Sequence, residues 1–302
     1  MSRKIISLCL TAVLVAGLFL TGCTSGGEEK KTLTIAYAPN ESTEQSVDAR
    51  NGLAKDLGEA LGVEVKEIQA SDYNAIIEAL RTGQADMAYM GALAVALAVE
   101  RADVEPIVMK APQGEKSQAV YHSVLITRAD NDSIQSISDI KGKTMAFVDP
   151  DSTSGNLIPT AEIINAFPGE NLDSDKLHTN GEFFEAVSFS GQHQAGLQAV
   201  IKGDVDVAPI SDQILASEIA NGNAKESDVK IIHESGAIPA EAMVVGKTVD
   251  DDLKAKLTDF LANYNNEEYF AQVIKVEGAR FVECGVSDYE PIIKLNDIIN
   301  AE

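Results

Sequence analysis

Tryptophan is absent from this 302-residue chain and aromatics make up only 5% of it, which removes the flat, polarisable surface on which sugars and nucleobases stack. Basic residues are scarce as well: 24 Lys and Arg stand against 47 Asp and Glu, a formal net charge of −23. So acidic a chain repels phosphate backbones, and nucleic acid is not expected as a partner. The four histidines, His122, His178, His193 and His233, lack the short spacings of a zinc site, and neither a metal nor a cofactor is expected. Long apolar runs are nearly missing too, the exception being Ile5 to Leu20.

That run is preceded by Arg3 and Lys4 and followed by Leu20-Thr21-Gly22-Cys23. A basic start, an apolar stretch and small residues describe a cleaved export segment rather than a retained transmembrane helix. The segment resembles bacterial lipoprotein signals. The resemblance implies removal of residues 1–22, a diacylglyceryl group on the Cys23 thiol, and an extracytoplasmic protein anchored to a bacterial membrane. Losing Arg3 and Lys4 takes the net charge from −23 to −25. With Cys9 removed and Cys23 lipidated, Cys284 stands alone, so the fold relies on its core and not on disulfides. Residues 23–31, which include Gly26-Gly27-Glu28-Glu29-Lys30-Lys31, read as a flexible tether.

From Leu33 onward short β-prone runs alternate with helical spacing. Leu33 to Ala38 is followed by a helix over Glu44 to Leu61, a strand over Val63 to Ile68, a helix over Tyr73 to Arg81 that Gly83 stops, a strand over Ala85 to Met90, a helix over Ala92 to Arg101 and a strand over Val104 to Lys110. Strands near Thr144, Val205, Val229 and Met243 and helices near Thr160, Gln194, Ser211 and Asp251 continue the rhythm. Such alternation predicts an α/β fold with largely parallel sheets. About 270 residues after the tether exceed a usual single domain, so two lobes are expected. The long β-prone stretches Ala119 to Thr127 and Ile238 to Val245 are the candidate crossings between them. An internal echo supports two similar units: Leu80-Arg81-Thr82-Gly83-Gln84-Ala85-Asp86-Met87-Ala88 parallels Val200-Ile201-Lys202-Gly203-Asp204-Val205-Asp206-Val207-Ala208. Strand ends of such units are where ligands usually sit.

Chemistry concentrates in Phe147-Val148-Asp149-Pro150-Asp151-Ser152-Thr153-Ser154-Gly155-Asn156-Leu157-Ile158-Pro159. Three hydroxyls and a glycine fall where a strand gives way to a helix starting near Ser154 and Gly155, with Pro159 in or near its first turn. Unpaired N–H groups and the positive end of the helix dipole then join the hydroxyls as donors to a compact anion, although Ser and Thr also serve as ordinary caps there. Ser188 to Gly196 leads into a second helix, with His193 in its first turn.

These segments, with Ser190-Gly191-Gln192-His193 about forty residues after Ser154 and Gly203-Asp204-Val205-Asp206-Val207-Ala208 beyond it, resemble the phosphate/phosphite/phosphonate-binding proteins of ABC transporters. The resemblance runs from Thr34-Ile35-Ala36-Tyr37-Ala38-Pro39-Asn40-Glu41 to the C-terminal helices. It implies a bilobal periplasmic-binding-protein fold of type II, with two α/β lobes and a ligand cleft between them: lobe 1 from residues 32–121 and 239–302, lobe 2 from 122–238. It further implies that Ser152, Thr153, Ser154 and Gly155, together with His193, hold a phosphorus oxyanion, and that a monomer delivers it unchanged to an ABC permease. The turns Tyr37-Ala38-Pro39-Asn40-Glu41 and Tyr89-Met90-Gly91-Ala92 of lobe 1 are expected to face lobe 2, with Tyr37, Tyr89 and Gly91 in the cleft or either tyrosine in the core. Asp212, after the Val205 to Ala208 strand, is expected to accept a proton from the oxyanion, to pair with an amine on the ligand, or to cap a helix. Many relatives carry an aromatic just after the glycine; here Gly91-Ala92-Leu93-Ala94-Val95 is aliphatic. A contact to an organic substituent is therefore expected to be missing, which leaves phosphite, phosphate, methylphosphonate or a related small anion as the ligand.

No Lys or Arg lies within either motif, so neutral donors are expected to carry the site, with affinity only weakly dependent on salt. Two other functions share these residues: a ligand sensor for a membrane receptor, and a hydrolase using Ser152 or Ser154 with His193 and Asp212. The second lacks the strained Gly-x-Ser-x-Gly turn of a nucleophilic serine.

Overall fold

Alternating strands and helices fill residues 32–300, the part of the chain that the computed structural model describes. The export segment, the tether, Cys9 and Cys23 lie outside the described residues. The chain opens with β1 (Thr32–Tyr37), α1 (Glu44–Leu61), β2 (Glu64–Gln69), α2 (Tyr73–Thr82), β3 (Met87–Met90), α3 (Ala92–Ala102) and β4 (Glu105–Ala111). It continues through β5 (Val120–Tyr121), β6 (Ser123–Arg128), β7 (Thr144–Phe147), α4 (Ile158–Ala166), α5 (Ser174–His178), β8 (Ala186–Phe189), α6 (His193–Lys202), β9 (Val207–Ser211), α7 (Asp212–Ala220) and β10 (Val229–Glu234). Last come β11 (Ile238–Pro239), β12 (Ala242–Val245), α8 (Asp251–Ala262), α9 (Glu267–Gln272), β13 (Arg280–Glu283) and α10 (Glu290–Ile299).

The strands build one six-stranded sheet, β13-β4-β12-β3-β1-β2, one five-stranded sheet, β10-β6-β9-β7-β8, and a small β11-β5 ribbon. Each large sheet is the centre of one lobe of a bilobal type II binding-protein fold. Apolar side chains cover both faces of each. Ile76, Leu80 and Leu97 pack on one side of the first sheet and Leu53, Leu257 and Phe270 on the other. Leu197 and Val200 oppose Ile163 and Phe184 across the second. This three-layer burial explains why the strands read as near-continuous apolar runs.

The expectation of largely parallel sheets is corrected. β1 pairs in parallel with β2 and β3, and β7 with β8 and β9, but β12 is antiparallel to β3 and β4, β13 to β4, and β6 to β9 and β10. Topology supplies the reason. Strands of a βαβ unit end at the cleft, whereas β6 and β12 are entered from the β5/β11 ribbon and begin there: Ser123 of β6 faces Ser211 at the end of β9, and Ala242 of β12 faces Met90 at the end of β3.

The repeated Gly and Asp have the same duties in both lobes. Gly83 and Gly203 end α2 and α6 in the left-handed region, at φ 74° and 77°, where a side chain would be strained. Asp86 then accepts from Thr34 N at 2.8 Å and Asp206 from Thr144 N at 2.9 Å, each carboxylate tying the start of one strand to its neighbour. Both aspartates precede their strands, so the echo marks the strand starts, while the cleft forms at the opposite ends.

Candidate ligand-binding site

Between the C-terminal strand ends of the two lobes lies a cavity of about 30 Å³, lined among others by Asn40, Glu41, Tyr73, Tyr89, Gly91, Lys110, Tyr121, Ser152, Thr153, Ser154, His193, Glu241 and Lys275. That is far below the several hundred Å³ of a cofactor pocket and suits a guest of a few heavy atoms.

The hydroxyl turn is built by one wide coil. Residues Thr153–Leu157 form a π-helical turn, with Leu157 N donating to Ser152 O at 3.1 Å, before α4 takes over. Pro159 follows as the second residue of α4, and the carbonyls one turn before it take donors from outside the coil, Ser154 O from Ser123 Oγ at 2.6 Å and Gly155 O from Val148 N at 3.0 Å. Ser152 Oγ caps this coil by accepting from Gly155 N at 3.1 Å and hydrogen-bonds the Tyr73 phenol, so it is both a cap and a wall of the cavity. Thr153 Oγ1 accepts from Leu93 N across the cleft at 2.8 Å. Gly91 allows that approach, since a Cβ there would stand 3.2 Å from Thr153 Oγ1. Ser154 Oγ lies 3.5 Å from His193 Nε2.

His193 is the first residue of α6 and is 3% exposed. Burial pushes its imidazole down to about 3, so it is neutral at physiological pH. The ring is held between Ser211 N, 3.4 Å from Nδ1, and the Pro209 carbonyl, which accepts from it, while Nε2 faces the hydroxyls. The His193 backbone N–H donates to Asn40 Oδ1 at 3.1 Å, Gln194 Nε2 to Asn40 O at 3.2 Å, and Asn40 Nδ2 to Tyr73 OH at 2.5 Å. Asn40 therefore straps the first lobe onto the start of α6. Leu157 and Ile158 join the apolar cluster around Leu93 and Leu97, so the lobes touch through apolar as well as polar groups.

Several expectations for the wall need correction. Tyr37 is fully buried in the core, its OH 3.4 Å from Tyr269 OH and its ring 4.6 Å beneath the Arg50 guanidinium; strand alternation turns it away from the cavity that the neighbouring Ala38 lines. Gly155 supports the coil from behind and does not line the cavity. Asp212 is committed elsewhere: its Oδ1 accepts from His122 N at 3.0 Å and from Gln213 N at 2.8 Å, pinning α7 to the crossing. A site of neutral groups alone is also overturned. Lys110, 3% exposed, places Nζ 2.6 Å from Glu241 Oε2, and Lys275 donates to Ser46 Oγ at 3.1 Å and to Gln272 O. Three tyrosines, Tyr73, Tyr89 and Tyr121, supply aromatic wall that the aliphatic stretch after Gly91 does not.

Asn40, Glu41, Tyr73, Tyr121, Lys110, Glu241 and Lys275 were not among the expected residues. A lysine inside the apolar run Ile107-Val108-Met109-Lys110-Ala111 was the visible signal for one of them; Lys275, at φ 65° after α9, left none. Three atoms of cavity-lining residues, Glu41 Oε2, Tyr89 OH and Glu241 Oε2, are buried without a hydrogen-bond partner, the last of them ion-paired with Lys110. Buried polar atoms rarely stay so, which marks the first two as ligand contacts in waiting.

Comparison with known proteins identifies the family. The family described as "ABC transporter, phosphonate, periplasmic substrate-binding protein" matches residues 35–289. The chain is 28% identical to the phosphate-import protein PhnD of Mycolicibacterium smegmatis, over 92% of this chain and 87% of that one. With the phosphonates-binding periplasmic protein of Escherichia coli the identity is 29%, covering 87% and 75% of the two chains. Among solved structures, a binding-protein component of an ABC phosphonate transporter from Pseudomonas aeruginosa superposes with a TM-score of 0.77 at 26% identity, covering 89% and 87%. PhnD1 from Prochlorococcus marinus, in complex with methylphosphonate, superposes at 0.75 and 19% identity, covering 90% and 99%, which speaks to fold alone.

Proposed function

Because this chain belongs to the family of periplasmic substrate-binding proteins of phosphonate ABC transporters, we propose that it captures a small phosphorus oxyanion, whether phosphonate, phosphite or phosphate, and hands it to a membrane permease. The observation that carries this reading is the convergence of Ser152, Thr153, Ser154 and His193 on one small cavity. The hydroxyls and the imidazole are neutral groups, and Lys110 and Lys275 add two ammonium groups against the Glu241 carboxylate, a local positive excess as long as Glu41 keeps its proton. Residues 32–121 and 239–302 form one lobe and 122–238 the other, hinged at the β5–β11 ribbon. The protein is extracytoplasmic, tethered through lipid on Cys23, and acts as a monomer.

Capture without conversion fits the geometry around His193. A serine nucleophile needs an imidazole nitrogen free to take its proton and a group to orient that imidazole. Here the ring meets Ser211 N and the Pro209 carbonyl, and the candidate carboxylate, Asp212, is bonded to His122 N and Gln213 N instead.

Calorimetric titration with methylphosphonate, phosphite and phosphate tests the assignment. Ser154→Ala and His193→Ala are expected to weaken the best ligand by about 1.5 to 3 kcal/mol each, roughly 10- to 150-fold in Kd, as for hydrogen bonds to a charged group. Wild-type affinity in both variants would discard the site, and phosphorus NMR showing the ligand altered after incubation would discard capture without conversion.

A further inference from the structure

Glu41 ends the short turn after β1 and is 6% exposed, with Oε2 buried and unpartnered on the wall of the same cavity. The cations near it are engaged elsewhere. Lys275, in the segment after α9, donates to Ser46 Oγ and Gln272 O; Lys110 of β4 pairs with Glu241; Arg50 of α1 donates to Gln69 Oε1 at 2.6 Å and lies 3.4 Å from Glu67. The other titratable groups around it are Glu241 before β12, Tyr37 of β1, Tyr73 of α2, Tyr89 of β3, Tyr121 of β5 and the neutral His193 of α6.

Resting on the reading of the cavity as an oxyanion site, we propose that Glu41 contacts the bound oxyanion and shares one proton with it. In a chamber this small a carboxylate and an oxyanion repel each other unless a proton lies between them. With one proton present, either the carboxylic O–H donates to a P–O⁻ oxygen or a P–OH donates to the carboxylate; the hydrogen bond is the same and no atom is transferred. Burial holds that proton on Glu41 up to about 8, Lys275 pulling the value down and Glu241 pushing it up. The sign follows: the carboxyl is a donor below that pH, and affinity falls as pH rises through it.

The test is calorimetric titration of the intact protein with methylphosphonate from pH 6 to pH 9.5, comparing wild type with Glu41→Gln. The carboxamide keeps an N–H donor at every pH and cannot ionise. Its ratio to wild type cancels the ionisation of the ligand and of the other cavity groups. That ratio is expected to be flat below about pH 8 and then to move about tenfold per pH unit against the wild type. Repeating the wild-type titration at pH 9 in two buffers of different ionisation enthalpy should count close to one proton taken up on binding. Parallel pH profiles for the two proteins, or no proton uptake by the wild type should the variant not fold, would overturn the role of Glu41 alone. Failure of the wild type to bind at any pH would overturn the oxyanion site itself.

Discussion

Gly155→Ala is expected to abolish high-affinity binding and to lower stability, although Gly155 itself never touches the cavity. The added Cβ would fall inside the Cβ and Cγ2 atoms of Val148 and 2.7 Å from Ser152 Oγ. Val148 is fully buried at the end of the second sheet and donates its N–H to Gly155 O at 3.0 Å, so it has nowhere to retreat. The coil must move instead. Overpacking of this kind typically costs about 1 to 3 kcal/mol of stability. The larger loss is in binding, because a shift of the coil displaces the Ser152, Thr153 and Ser154 hydroxyls together and breaks the Ser152 Oγ cap on Gly155 N. Losing two such bonds to an anion predicts a drop of at least about 100-fold in affinity. Calorimetry and thermal unfolding measure the two effects separately. A stable variant with wild-type affinity would mean that the hydroxyl coil is not where the ligand sits.

The hydroxyl coil, the start of α6 and most strands and helices were legible in the sequence because each is announced locally, by a cap, a helix-stopping glycine or an apolar period, whereas α5 and the edge strands β8 and β13 were not foreseen. The expected helix over Glu44 to Leu61 is α1 to the residue, and the strand expected near Val205 begins two positions later, at Val207. Strand direction was not legible. Parallel and antiparallel strands buried on both faces read alike, and only the point at which the chain re-enters each lobe decides between them. The opposing wall was located by segment but misjudged by residue. The turn after β1 does face the cavity, yet it presents Asn40 and Glu41, while Tyr37 belongs to the core. Aromatic residues at strand ends attract attention; an alternation count from the fully buried Ile35 would have assigned Tyr37 to the same face. Lys110, Glu241 and Lys275 meet only in three dimensions, from β4, the return crossing and the segment after α9, and no spacing in the sequence relates them.

Lys110→Met is expected to be the most destabilising single change in the cavity wall. The ammonium is 3% exposed, 2.6 Å from Glu241 Oε2 and 5.5 Å from the centre of the Tyr121 ring. Methionine fills the volume but strands the Glu241 carboxylate, 15% exposed and facing Glu41, without its cation. Breaking a buried pair from one side costs about 3 to 5 kcal/mol, whereas replacing both partners by apolar groups is often close to neutral. Urea unfolding of Lys110→Met, Glu241→Met and the double variant therefore separates the pair from its members. The double variant should recover most of the stability that Lys110→Met loses and still bind poorly, because the cavity keeps its neutral donors but loses an ammonium group that favours an anion. If it unfolds at the same urea concentration as Lys110→Met, the cost lies in packing around the lysine stem rather than in the stranded charge. If it binds as tightly as wild type, the hydroxyls and His193 hold the anion without help from Lys110.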